Sequence, residues 1–185
     1  MSREDREAWD RKHEASMPAP VLQPPPPPPL FSHVEHHFPK AGSALDIACG
    51  RGEGAVWLAG RGLSYHGVDV SPVAIGMAQK LVDAYELTER CRLEVWDLDD
   101  GLPPGPLVDV MFCHMFRDPT LYGAMIERLA PGGLLAVAVL SEVGGAAGPF
   151  RAPPGELREA FGHLEVLDEG EGDGMARILA RSPNR

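Results

Sequence analysis

The chain has 185 residues, 44% of them hydrophobic, and a formal net charge of -10. That length is enough for one domain with a real core. The acidic balance disfavours a phosphate-backbone partner, so no nucleic-acid partner is expected. No apolar run reaches the roughly 18 residues of a membrane span, and the charged start Ser2-Arg3-Glu4-Asp5 lacks the apolar core of a secretory signal. Cys49, Cys91 and Cys113 are widely separated with no CxxC spacing. They predict free thiols in a reducing cytoplasm and no structural metal.

In chain order, residues 1–17 mix both charge signs and place Trp9 and His13 at i, i+4. Two readings stand: a solvated helix, or a flap that carries Trp9 over the active site. Pro24 to Pro29 is an unbroken proline run. It predicts an extended polyproline strap, because proline fixes φ and removes the N–H donor. Such a run also suits a partner domain of the SH3 kind. Ser32-His33-Val34-Glu35 has the capping-box pattern and predicts a short helix to about Phe38. Its His33, His36 and His37 are read as exposed, with pocket lining and a metal pair as sharper alternatives; a metal would need further ligands.

The centre of the sequence is Ala44 to Gly54. Ala44 to Ala48 predicts a buried strand, Gly50-Arg51-Gly52 a tight turn, and Ala55 to Ala59 a helix. Glycine lets the backbone approach a ligand, and a helix start presents unpaired N–H groups. A second strand, Leu63 to Val68, ends in Asp69, where a ribose-binding carboxylate is expected. Gly50-x-Gly52-x-x-Ala55 fits the dinucleotide fingerprint, but Asp46 and Glu53 flank the turn. Two carboxylates repel a pyrophosphate, and a helix dipole offsets only about 0.3–1 kcal/mol per charge. A ligand with a cationic end fits better, and S-adenosylmethionine carries an ammonium, a sulfonium, a ribose and an adenine.

On these residues the chain resembles the class I S-adenosylmethionine-dependent methyltransferases. Their first motif, an acidic residue followed by small-x-Gly-x-Gly, is matched by Asp46, Ala48, Gly50 and Gly52; members usually have glycine at Ala48. The resemblance implies that Asp46 faces the donor's amine and Asp69 its ribose.

Ser71-Pro72 predicts an N-cap and first helical position, followed by a helix through Ile75, Ala78, Val82 and Tyr85. Cys91 to Trp96 predicts a third strand with Leu93 and Val95 inward. In family terms, Asp97 after it accepts from the adenine amine, and apolar neighbours such as Val70 and Leu98 sandwich the ring. The residue-level alternative is an acidic loop that ends a strand. Leu107 to Cys113 predicts a fourth strand, after which Asp118-Pro119 caps a helix. The resemblance places Cys113 beside the donor. It makes His114 and Arg117 the polar candidates on the acceptor side; the alternative for His114 is a structural histidine. Pro131-Gly132-Gly133 predicts a turn before a fifth strand, Leu134 to Leu140. Ser141 to Pro154 reads as a mobile glycine-rich loop, and Pro154 to Phe161 as a short helix. Leu164 to Asp168 and Ala176 to Arg181 read as two strands joined by Glu169 to Gly174. That joint reads as an acidic solvated turn, without calcium-loop spacing. The segments 155–181 and Phe112-x-x-Met115-Phe116 loosely resemble the small tellurite-resistance and thiopurine-type methyltransferases.

Strand–helix alternation predicts an α/β fold with a parallel sheet and helices on both faces. The resemblance implies a Rossmann-like seven-stranded, mostly parallel sheet with an antiparallel C-terminal hairpin. The expected organisation is an N-terminal flap with its proline strap over 1–40 and a methyltransferase domain over 41–185. The expected activity is methyl transfer from S-adenosylmethionine to a small-molecule acceptor, by a monomer or homodimer, with no metal and no membrane partner. A nicotinamide oxidoreductase and a non-catalytic Rossmann-like module are the alternatives.

Overall fold

The computed structural model describes residues 7, 8, 10–12 and 25–184. Trp9, His13 and the first proline of the run lie outside them. The strands are β1 (Ser43–Ile47), β2 (Ser64–Asp69), β3 (Cys91–Val95), β4 (Val108–His114), β5 (Leu129–Leu140), β6 (Glu165–Gly172) and β7 (Met175–Arg181). The α-helices are α1 (Glu53–Gly60), α2 (Pro72–Ala84), α3 (Tyr122–Glu127) and α4 (Glu156–Phe161). The strands form one seven-stranded sheet in the order β3-β2-β1-β4-β5-β7-β6. β1–β2, β2–β3 and β4–β5 pair parallel, whereas β7 runs antiparallel to both β5 and β6. This is the Rossmann-like α/β architecture expected of the sequence. The chain divides into two compact units, Met1–Pro104 and Gly105–Arg185.

In the first unit, β1 is buried throughout apart from its first residue, as an interior parallel strand should be. α1 is apolar all round and fully buried from Gly54 to Ala59, so no amphipathic pattern marks it. Ser71 caps α2 as predicted, its Oγ accepting from Ala74 N at 3.0 Å, with Pro72 at the first position. β3 departs from expectation. Val95 is 47% exposed, because β3 pairs on one side only and an edge strand buries less of its length.

The predicted capping box is also corrected. A 3-10 helix runs over Pro29–His37, with Ser32 inside it and donating to Pro29 O at 2.9 Å. Proline at the first position starts the helix instead. Phe31, Val34 and Phe38 form its buried face, and Phe38 meets Trp57 of α1 edge-on at 4.7 Å. Arg61, just past α1, reaches Glu35 Oε1 at 2.5 Å and the carbonyls of Glu35 and Phe38. The helix carrying His33, His36 and His37 is therefore fixed at the C-terminal end of α1, roughly 12 Å along an eight-residue helix from the glycine turn. Among the described residues no group of His, Cys, Asp and Glu could hold a metal ion.

In the second unit, the Ser141–Pro154 stretch is pinned. Ser141 bridges Ala152, and Glu142 N, Ala152 N and Arg151 Nη1 all hydrogen-bond backbone carbonyls at 2.8–3.0 Å. Glu171 holds both ends, accepting from Ser141 Oγ at 2.9 Å and Gly155 N at 3.0 Å. The acidic run Glu169 to Gly172 lies within β6, so the hairpin turn is only Asp173-Gly174, with φ values of 51° and 77°. An Asp-Gly pair with both residues at positive φ is the two-residue connection that matches strand twist. Among the described residues no helix is long and apolar enough to cross a membrane.

Candidate donor-binding site

The glycine turn follows β1 directly and is built on left-handed backbone. Ala48, Gly50 and Gly52 have φ values of 55°, 55° and 88°. Alternating left-handed residues turn successive N–H groups inward, an arrangement suited to holding a ligand against main chain. Gly52 is also required for packing. A Cβ there would lie 2.9 Å from Ala78 Cβ and 3.0 Å from Ala78 Cα, so α2 crosses the start of α1 where a side chain would stand.

Asp69 ties this turn to the end of β2. Its Oδ2 accepts from Gly50 N and its Oδ1 from Ser71 N, each at 2.9 Å. A carboxylate is an acceptor-only group with about four lone-pair positions, the chemistry that ribose hydroxyls require. Asp46 lies deeper, 2% exposed, and Tyr65 Oη donates to its Oδ2 at 2.6 Å. Burial pushes the Asp46 carboxyl up to about 7; Tyr65 opposes the rise and the Asp69 charge adds to it. The Cys49 thiol in the turn is driven well above its ordinary value by burial and then by Asp46 and Asp69. Two buried carboxylates under one turn are costly unless a proton or a cation joins them. The donor set therefore fits a ligand with an ammonium and a diol and opposes a pyrophosphate.

Val70, 8% exposed, and Leu98, 4% exposed, supply apolar surface after β2 and β3. Asp97 caps the 3-10 turn Leu98–Asp100, its Oδ1 accepting from Asp99 N at 3.1 Å. The N-terminal stretch reaches the same end of β2, where Ser71 Oγ donates to Asp10 Oδ1.

In the second unit, His114 ends β4, its ring stacked on Phe112 with centroids 6.2 Å apart. Met115 follows with φ 66° and is 44% exposed. Cys113 is buried, its Sγ donating to Phe116 O at 3.2 Å. Arg117, expected to face an acceptor, is engaged by Glu156 of α4: Nε donates to Oε1 at 2.8 Å and Nη2 to Oε2. Tyr122 Oη donates to the same carboxylate at 2.7 Å. Burial works to raise the Glu156 carboxyl, but Arg117 and Tyr122 outweigh it and hold it below its ordinary value. A shallow cleft of about 250 Å³ between α4 and the β6–β7 hairpin is floored by Arg158–Glu169 and Arg177. Arg158 pairs Glu169 at 3.1 Å and Arg177 pairs Asp168 at 3.0 Å.

Sequence reasoning missed Tyr65, Gly67, Glu156 and Tyr122. Tyr65-x-Gly67 was legible as a pair on one face of β2, since alternate strand residues share a face. Glu156 is 39 residues from Arg117, and no local pattern links them.

Residues 44–133 match the methyltransferase-domain family. No curated protein matches the chain, but many solved structures share its fold. The N-methyltransferase NodS from Bradyrhizobium japonicum, in complex with S-adenosyl-L-homocysteine, is 19% identical, with 96% of this chain and 98% of that one covered and a TM-score of 0.69. A protein that converts a disulfide bond into a thioacetal group during echinomycin biosynthesis is 22% identical over 97% and 94%, with a TM-score of 0.67. TehB from Haemophilus influenzae is 20% identical over 77% of this chain, with a TM-score of 0.67; the chain spans 58% of TehB's length. With the acidic glycine turn, the carboxylate ending β2 and the antiparallel β5-β7-β6 end, the chain has the class I S-adenosylmethionine-dependent methyltransferase fold, and its residues 44–133 match a methyltransferase domain.

Proposed function

We propose that this protein transfers the methyl group of S-adenosylmethionine to a small-molecule acceptor. The observation that carries the reading is the buried pair Asp46 and Asp69 beneath a left-handed glycine turn. S-adenosylmethionine supplies an electrophilic methyl on sulfonium. The protein's work is then to bind and align it: Asp46 faces the ammonium, Asp69 the ribose, and Val70, Asp97 and Leu98 the adenine. In-line displacement needs alignment and exclusion of water more than acid or base groups. Cys113 stays the donor-side candidate of β4 and His114 its acceptor-side candidate. Arg117 positions the segment after β4 through Glu156. The net charge of -10 favours a small acceptor over a nucleic acid.

The described part of the N-terminal flap supports a cover. The 3-10 helix is fixed to the far end of α1, while Asp10 reaches Ser71 beside Asp69. Removing residues 1–20 then spares most donor affinity and lowers turnover; equal turnover by the shortened protein overturns the cover.

Calorimetric titration with S-adenosylhomocysteine tests the donor reading. Binding in the micromolar range is expected. Asp69→Ala weakens it by about 1.5–3 kcal/mol, the cost of losing hydrogen bonds to a charged group. Unchanged affinity in a folded Asp69→Ala protein removes Asp69 from the site.

A further inference from the structure

The pairing of β1 with β2 sets Asp46 opposite Gly67 and Ala44 opposite Tyr65. Tyr65 and Gly67 are alternate residues of one strand and so share a face. Gly67 is not needed for a turn here; it is needed for room. A Cβ at position 67 would lie 2.6 Å from Tyr65 Cε1, 2.7 Å from Tyr65 Oη and 3.0 Å from Cys49 Sγ. The Tyr65 ring thus lies along β2, across the bare glycine, and brings its hydroxyl to Asp46 at 2.6 Å. Both side chains are buried, at 2% exposure each. A buried phenol aimed at a buried carboxylate two residues before the glycine turn is a specific arrangement. Any larger residue at position 67 would prevent it.

We propose that Tyr65, laid over Gly67 and hydrogen-bonded to Asp46, is a positioning residue that couples capture of the donor's ammonium to release of one proton from Asp46. The proposal rests on the donor reading above. The titratable groups that act on Asp46 are Tyr65 and Asp69 from β2; Cys49 of the turn adjoins them, and Cys91 of β3 acts on Tyr65. Both thiols and the phenol are pushed upward, burial first, and so stay neutral near pH 7. Asp69 is the nearby anion. It disfavours a second negative charge at Asp46, and burial disfavours it further, which holds Asp46 near 7.

An incoming ammonium reverses that balance. It favours the carboxylate, and the proton on Asp46 leaves to solvent as the cation arrives. Tyr65 supplies the one hydrogen bond that stabilises the carboxylate before the ligand does. By linkage, donor affinity then rises with pH, by up to about tenfold per unit, until Asp46 is ionised in the free protein, and levels off above. Without the phenol, Asp46 ionises at higher pH and the levelling point moves up.

The experiment is calorimetric titration with S-adenosylhomocysteine from pH 5.5 to 8.5, in buffers of different ionisation enthalpy. The full-length protein is compared with Tyr65→Phe and Asp46→Asn. Expected for the native chain is release of close to one proton at pH 6, falling towards zero at pH 8.5, with the affinity break near 7. In Tyr65→Phe the break moves up by about one pH unit. In Asp46→Asn proton release disappears. Absence of binding at every pH overturns the donor reading and this inference with it. Tight binding of the native chain with no proton release overturns the coupling alone. A Tyr65→Phe protein that binds with an unmoved break overturns the role of Tyr65. The native-chain proton count decides the coupling even if a variant fails to fold.

Discussion

The end of β2 holds buried carboxylates and the segment after β4 meets a half-buried one, and they handle charge in opposite ways. After β4, Glu156 is met by both arms of Arg117 and by the Tyr122 hydroxyl. Its charge is matched within the fold, and it stays ionised. At β1–β2, Asp69 accepts from two backbone N–H groups and Asp46 from a phenol, and burial together with the Asp69 charge raises the Asp46 carboxyl to about 7. A matched carboxylate is a structural fastening. A buried carboxyl raised towards neutrality is a place where a ligand's positive charge changes the balance. The predictions below test that distinction, from the largest effect to the smallest.

Gly52→Val should abolish S-adenosylhomocysteine binding. A branched side chain at φ 88° must also displace Ala78, whose backbone lies 3.0 Å from the built Cβ. The combined strain and overpacking cost is about 2–5 kcal/mol. Gly52→Ala separates the two roles, since it keeps the clash with Ala78 and adds little bulk towards a ligand. It should lose stability by about 2–3 kcal/mol in urea unfolding while the folded fraction still binds. Normal donor affinity in Gly52→Val would show that the turn is not the cradle.

Asp46→Asn should divide by pH. The unfolded carboxyl ionises near 4, whereas the folded one stays protonated to about 7. Its contribution to stability is therefore complete below about 4 and is lost as pH rises through 7. Asparagine carries no such loss. The variant should match the native chain near pH 4–5 and exceed it at pH 8 by on the order of 2–4 kcal/mol, while binding donor more weakly at pH 8. Thermal melts at the two pH values check this; a native chain that is more stable than the variant at pH 8 would mean that Asp46 is already charge-matched.

Glu156→Gln attacks the matched site. It leaves Arg117 half-buried with one weak acceptor and costs about 2 kcal/mol of stability. Donor affinity should be little changed, since the proposed ammonium, ribose and adenine contacts lie between Asp46 and Leu98. A large loss of donor affinity with little loss of stability would invert the contrast between the two sites.

What the sequence made legible follows the range of the interactions. The strand–turn–helix at Ala44 to Ala59, the Ser71-Pro72 cap and the parallel part of the sheet are set by local patterns and stand as read, whereas the antiparallel end followed from the family resemblance alone. The capping box at Ser32 failed because Pro29 starts the helix three residues earlier. Val95 was placed inward because strand alternation does not say which strand lies at an edge. The pairing of Arg117 with Glu156 was hidden because the two are 39 residues apart in the chain. Ser141 to Pro154 looked loose because its fastenings come from backbone and from Glu171. Composition reports small residues; it does not report where their hydrogen bonds go.

The smallest effect bears on the turn itself. Ala48 is the one non-glycine residue among the three left-handed positions of the motif, at φ 55°. An L-residue there carries about 1–2 kcal/mol of steric cost. Glycine removes that cost, but its freer unfolded chain returns about 0.4–1 kcal/mol. The net expectation for Ala48→Gly is a gain of about 0.5–1 kcal/mol, or roughly 1–4 °C in Tm for a domain of this size. Donor affinity should be unchanged, because the backbone path already is the one glycine prefers. A fall in Tm would mean that the half-buried Ala48 methyl contributes packing that outweighs its strain. Ala48 would then be a deliberate filler under the turn, and Asp46 and Asp69 would sit in a more tightly packed site than glycine allows.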